Sequence, residues 1–138
     1  PFTTAAVVVA QTFVAMPFLV ITVEAALRQA SQEVDDAART LGAGPWYTFR
    51  RVTLPEIRPA LIAGAVLSWA RALGEFGATI TFAGNFPGTT QTMPLAVYLA
   101  RETNPEQSIV LALLMIVVSF SVLVALRDRW FTNAGRQR

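Results

Sequence analysis

Residues 1 to 23 contain no charged side chain, and neither do residues 107 to 126. About 20 apolar residues in a helix cross the hydrocarbon core of a bilayer, and only a helix or a closed barrel satisfies its own backbone there. A third stretch, Pro59 to Phe82, is long enough to cross but carries Arg71 and Glu75 within it. Only 14% of the residues are charged and 54% are hydrophobic, where a soluble domain has about 25% charged. The expected fold is therefore all-α and polytopic, with three transmembrane helices at about residues 2–23, 59–82 and 107–126. The chain opens on Pro1, runs straight into apolar sequence and lacks the basic start of a signal peptide, so it reads as the C-terminal part of a longer protein.

Arginine orients the spans. Arg28, Arg39, Arg50, Arg51 and Arg58 lie in residues 24–58, and Arg127, Arg129, Arg136 and Arg138 in the tail 127–138, whereas 83–106 holds only Arg101. By the positive-inside rule the first segment and the tail are cytoplasmic and 83–106 lies outside. Pro17 is expected to kink the first span. Three helices do not readily enclose a polar pathway, so a working unit calls for further helices or a second copy of the chain.

The sequence has no Cys and no His, which excludes disulfides, thiolate chemistry, the usual zinc sites and the commonest proton-transfer side chain. A formal charge of +2 with acids interspersed is no footprint for nucleic acid. No phosphate-binding Gly-x-x-x-x-Gly-Lys loop is present. No enzyme activity, cofactor or metal is expected of this chain.

Residues 24–58 concentrate charge and punctuation. Ser31 is placed to cap a helix, with Glu33, Asp35 and Asp36 in its first turns, where the helix dipole favours acids. Val34, Ala37, Ala38 and Leu41 fall at i, i+3, i+4 and i+7, one apolar stripe. Gly42 offers a left-handed stop, and Pro45 suits the first turn of a second short helix carrying Trp46, Phe49 and Val52, which Leu54-Pro55 is expected to end. This helix-elbow-helix has three readings: an amphipathic helix on lipid headgroups, a loop folded on its own bundle, or a docking knob for a separate cytoplasmic protein.

Asp36-Ala37-Ala38, Gly42, Val52, Leu54 and Pro55 have the spacing of the "EAA…G…I-LP" loop, and the chain thereby resembles permease subunits of binding-protein-dependent ABC importers. Asp replaces Glu at 36 and Val replaces Ile at 52. The resemblance implies that the loop is a coupling helix docking an ABC ATPase subunit through Val34, Asp36, Ala37, Ala38, Leu41, Gly42, Pro45, Leu54 and Pro55. It further implies a type I permease domain that works as two permease copies in membrane lipid, with a solute-binding protein on the outer side. The run "WARALGEFGATITFAGNFPGTTQTMPLAVY", Trp69 to Tyr98, is similar to permeases of the molybdate and sulfate group, and its Gly-Asn-Phe-Pro-Gly-Thr-Thr portion to the molybdate and tungstate branch. The implied cargo is an oxyanion. A sulfate or thiosulfate permease is the nearest alternative.

Within the middle span, Arg71 and Glu75 are four apart, so on one helix they share a face and pair. The pair either neutralises itself as packing or borders the pathway; as a pathway it also admits an ion-coupled secondary transporter. Gly64, Ser68 and Ala72, then Gly74, Gly77 and Ala78, form a small face suited to close helix packing. Thr79 and Thr81 offer hydroxyls to an anion, or bond their own backbone. Outside, Met93 to Ala100 reads as a short helix, and Asn85 to Gln91 as contacts for the solute-binding protein or as a plain interfacial turn.

Overall fold

The computed structural model describes residues 2–30 and 32–134. The expected cap Ser31, the side chains of Glu33 and Asp35, and Arg136 and Arg138 of the tail lie outside the described residues. Among the described residues every regular element is helical: α1 Thr4–Gln29, α2 Gln32–Thr40, α3 Pro45–Thr48, a π-helical turn Phe49–Thr53, α4 Leu54–Leu73, α5 Gly77–Ala83, α6 Met93–Thr103 and α7 Pro105–Ala134. Two stretches are long and apolar enough to cross a membrane, Thr4–Gln29 and Pro105–Ala125. The helices divide into two compact units, residues 16–68 and residues 2–15 with 69–134.

In the first unit α1 runs through Pro17 without interruption. Gly64 of α4 meets it closely: a Cβ there would lie 3.0 Å from Leu19 Cδ1 and 3.1 Å from Thr22 Cβ. The small residue is thus what lets the two helix backbones approach. One boundary differs from expectation. Leu54-Pro55 does not end the helix begun at Pro45; Leu54 is right-handed helical (φ −63°, ψ −43°) and the chain continues into α4. A proline near the start of a helix removes one bond but does not forbid continuation.

In the second unit α6 and α7 pack against each other. Asn104 separates them, its Oδ1 accepting the Gln107 N–H (3.3 Å), while Ser108 Oγ donates to the Val97 carbonyl (3.0 Å). Leu95 and Ala100 are buried on α6, and Ala6, Val7 and Ala83 cluster in the core. The second difference from expectation lies here: the segment 59–82 is not one helix. It breaks after Leu73 and restarts at Gly77, so Glu75 stands in the gap rather than on a shared helix face with Arg71. The cause is local, because the Glu75 carboxylate accepts the Ala78 N–H and so starts a new helix between two glycines.

Candidate functional site

The elbow of residues 34–55 is built from its backbone. At the end of α2 the Gly42 N–H donates to the Arg39 carbonyl (2.9 Å) and the Ala43 N–H to the Ala38 carbonyl (3.1 Å), the paired bonds of a Schellman stop. Gly42 supplies the required left-handed residue at φ +85°, and a Cβ there would meet no atom of this chain. Gly44 is extended and Pro45 takes the first helical position of α3, whose φ it pre-sets. α2 packs on α3 and on the π-helical turn. Thr48 is buried, with Oγ1 donating to the Gly44 carbonyl.

The elbow turns large apolar side chains outward among its charged ones. Leu41 is 88% exposed, Trp46 72% and Tyr47 60%, and Val34 is half exposed. Trp46 stacks on Phe49, centroids 5.9 Å apart. Asp36, Ala37, Pro45, Leu54 and Pro55 are exposed and Ala38 is half-buried. The expected docking residues of α2 and its stop thus lie beside α3 and the π-helical turn, while Leu54 and Pro55 open α4. Sequence reasoning placed Trp46 on the second helix but did not single it or Tyr47 out as contacts; two adjacent aromatics beside a Gly-Pro corner were the available signal.

The polar residues of the broken span separate in role. Arg71 Nη1 donates to Glu75 Oε2 (2.5 Å) and the Ala78 N–H to Glu75 Oε1 (2.8 Å), so Glu75, 5% exposed, joins the end of α4 to the start of α5. Thr81 Oγ1 donates to the Gly77 carbonyl and is engaged by its own helix. Thr79 is fully buried and its Oγ1 has no partner; Asn85 Oδ1 and Thr92 Oγ1 are likewise buried without one. A cavity of about 190 Å³ borders Thr92, lined also by Gln11, Trp69, Ala72 and Met93. Gln11 and Thr92 were not singled out from the sequence, since a lone Gln in an apolar helix gives no pattern.

Residues 84–91 form a knot. The Phe86 carbonyl accepts the N–H groups of Thr89, Thr90 and Gln91, and the Phe86 N–H donates to the buried Thr90 Oγ1. Thr4 Oγ1 donates to the Thr89 carbonyl, and Phe2 meets Phe86 edge-on at 5.8 Å. Asn85 and Gln91 are its half-buried shoulders, and Phe86 to Thr89 form the exposed tip.

The family described as "Binding-protein-dependent transport system inner membrane component" matches residues 1–134. The chain is 50% identical over 128 residues to "Molybdenum transport system permease protein ModB" of Mycobacterium tuberculosis, covering 93% of this chain and 48% of that protein. It is 40% identical over 131 residues to the protein of the same name from Escherichia coli K12, covering 95% and 57%. It is also 44% identical over 98 residues to the "Sulfate transport system permease protein CysT" of Escherichia coli K12, covering 71% and 35%. The chain spans about half the length of the molybdenum relatives. With the profile match running almost end to end, the chain belongs to the family of inner membrane components of binding-protein-dependent transport systems.

Proposed function

We propose that this chain forms part of the translocation pathway of an ATP-driven importer for an oxyanion, molybdate or its congener tungstate, in the inner membrane. The observation that carries the reading is the elbow: an outward apolar knob of Leu41, Trp46 and Tyr47, held by a Schellman stop at the position of the EAA-type loop. Exposed apolar patches of this kind mark contact surfaces, and the partner fitted here is a cytoplasmic ATPase subunit. ATP binding and hydrolysis belong to that partner. The elbow takes up its movement and passes it along α4, and two permease copies switch together between inward-facing and outward-facing forms. Helices α1 and α7 cross the membrane, and the pair α4 and α5 makes a third, broken crossing, with residues 24–58 and the tail cytoplasmic. On the outer side the tip Phe86 to Thr89, flanked by Asn85 and Gln91, meets a solute-binding protein. The similarity to molybdenum permeases over most of the chain supports the cargo.

A sulfate cargo is the second reading, supported by the likeness to the sulfate permease over 98 residues. Competition decides between them: in vesicles holding the full-length permease, its ATPase and binding protein, excess molybdate is expected to abolish labelled tungstate uptake while equal sulfate leaves it nearly unchanged. The reverse ranking selects the sulfate reading.

The same vesicles test the elbow. At φ +85° a β-branched residue is strongly disfavoured, whereas Asn tolerates the left-handed region. Gly42→Val is expected to lower uptake per ATP hydrolysed at least about tenfold, with Gly42→Asn close to wild type. Since a Cβ at 42 meets nothing in this chain, any effect of side-chain bulk at this position, as in Gly42→Asp, would have to come from the docked partner. Uptake by Gly42→Val equal to wild type, with the ATPase retained, defeats the lever reading.

A further inference from the structure

The turn joining the elbow to α4 is not α-helical. The Leu54 N–H bonds the Phe49 carbonyl, five residues back, so Phe49–Thr53 hold one residue more than an α-turn would. One residue further on stands a proline. Pro55 has no N–H to offer the Arg51 carbonyl, and in an α-turn its ring would strike that carbonyl. The wider turn separates them.

The extra residue decides which face the elbow presents. At about 100° per residue, nine α-helical steps from Thr48 to Ile57 would put these two residues on opposite sides. With one residue absorbed by the π-helical turn the separation is equivalent to eight steps, about 80°. Ile57 and Gly64, seven apart, already share a side to within about 20°. Thr48, Ile57 and Gly64 are the buried positions of α3, the turn and α4, so the π-helical turn gathers all three into one arc. Trp46 and Tyr47 respond in the opposite sense. In an unbroken α-helix Trp46 would fall within about 20° of Ile57, on the buried side; with the π-helical turn it lies about 80° away and Tyr47 directly opposite Ile57. Both are in fact exposed, at 72% and 60%.

We propose that Pro55 is a positioning residue: by enforcing the π-helical turn it sets the angular register between elbow and α4, and so aims Trp46 and Tyr47 at the docking partner. Pro59 in α4 and Pro17 in α1 each follow an α-helical turn, so a proline by itself does not widen a turn, and the role proposed for Pro55 belongs to its place directly after the elbow. The inference rests on the docking reading for its transport consequence but not for its geometry.

The test uses the full-length permease with its ATPase and binding protein in vesicles, with uptake read on the unlabelled protein and distances read separately on a cysteine-free background carrying spin labels at positions 47 and 65. Pro55→Ala restores an N–H and is expected to close the turn to α, shifting the label-to-label distance distribution and lowering uptake per ATP hydrolysed at least about tenfold through a rotation of about 100°. Deleting Val52 in the Pro55→Ala background again leaves eight α-helical steps between Thr48 and Ile57. That double variant is expected to regain the wild-type distance and uptake within about twofold of wild type. Pro59→Ala is expected to change neither. An unchanged distance in Pro55→Ala overturns the proposal whatever transport does. A restored distance without restored uptake also overturns it, because Pro55 would then act other than through register. Should the wild type retain no ATPase, the docking reading fails by itself while the distances still decide the register.

Discussion

The elbow and the broken span invert the usual burial rule in opposite directions. The elbow satisfies its backbone locally, through the bonds to Arg39 and Ala38 and the Thr48 hydroxyl on Gly44, and turns Leu41, Trp46 and Tyr47 outward. The second half of the broken span and the segment after it, Glu75 to Thr92, turn polar groups inward: Glu75, Thr79 and Thr90 are buried, and three buried oxygens there have no partner. Large apolar side chains are ordinarily inside and polar ones are ordinarily paired when buried. An outward apolar knob is a surface suited to a protein partner. Unpaired oxygens inside are hydrogen-bonding capacity held in reserve. The two regions therefore differ in how mutation should act, the elbow through coupling with little loss of stability, the span through stability.

The strongest way to break that contrast is at Glu75. Glu75→Leu removes the partner of Arg71 and the acceptor of the Ala78 N–H together. Breaking a buried pair from one side costs about 3–5 kcal/mol, and the 39% exposure of the Arg71 side chain puts the expected loss near the lower end, about 3 kcal/mol. Glu75→Gln keeps an acceptor for Ala78 and is expected to lose about half as much. Thermal unfolding of the full-length permease in detergent measures both; equal losses would mean that the ion pair contributes nothing beyond the cap.

Next come two glycines with nearly the same φ but different surroundings, Gly84 having in addition a ψ of −165°, a region almost reserved for glycine. Gly84 has φ +78°, and a Cβ there would lie 3.0 Å from the Phe2 ring and 3.1 Å from the Phe86 ring; Gly42 has φ +85° and open space. Gly84→Ala meets both the strain of that region and crowding, about 2 to 3 kcal/mol in sum because the rings can shift. Gly42→Ala meets the strain alone, about 1 kcal/mol. The same unfolding assay is expected to rank Gly84→Ala as the more destabilised, and a reversal would mean that the knot of residues 84–91 is looser than its hydrogen bonds indicate.

How much of this could be read beforehand follows from the range of the forces involved. Gly42 and Pro45 were legible because a left-handed stop and a helix start are written in one or two residues. The uncharged runs of α1 and α7 were legible because a long apolar helix admits few other readings. The break at residues 74–76 was hidden because it depends on a carboxylate choosing a backbone amide over a shared helix face, and "GEFG" fits either outcome. Leu54-Pro55 misled in a related way: a proline stops a helix only if the preceding turn cannot widen, and here it widened. The cavity beside Gln11 and Thr92 joins residues 81 positions apart, which no local spacing encodes.

The smallest effect tests the inward groups most sharply. The sequence left Thr79 and Thr81 equivalent; the structure gives Thr81 a backbone partner and leaves the buried Thr79 hydroxyl with none. An unmet buried hydroxyl is a standing cost, and a methyl of the same size removes it. If Thr79 serves packing alone, Thr79→Val is expected to stabilise the permease by about 1 kcal/mol with uptake unchanged. The matching Thr81→Val change gives up a satisfied bond and is expected to be neutral or slightly destabilising. Should Thr79→Val gain stability yet lose uptake severalfold, the hydroxyl finds its partner only during transport, and the contrast between the two regions becomes one between docking a protein and passing an anion.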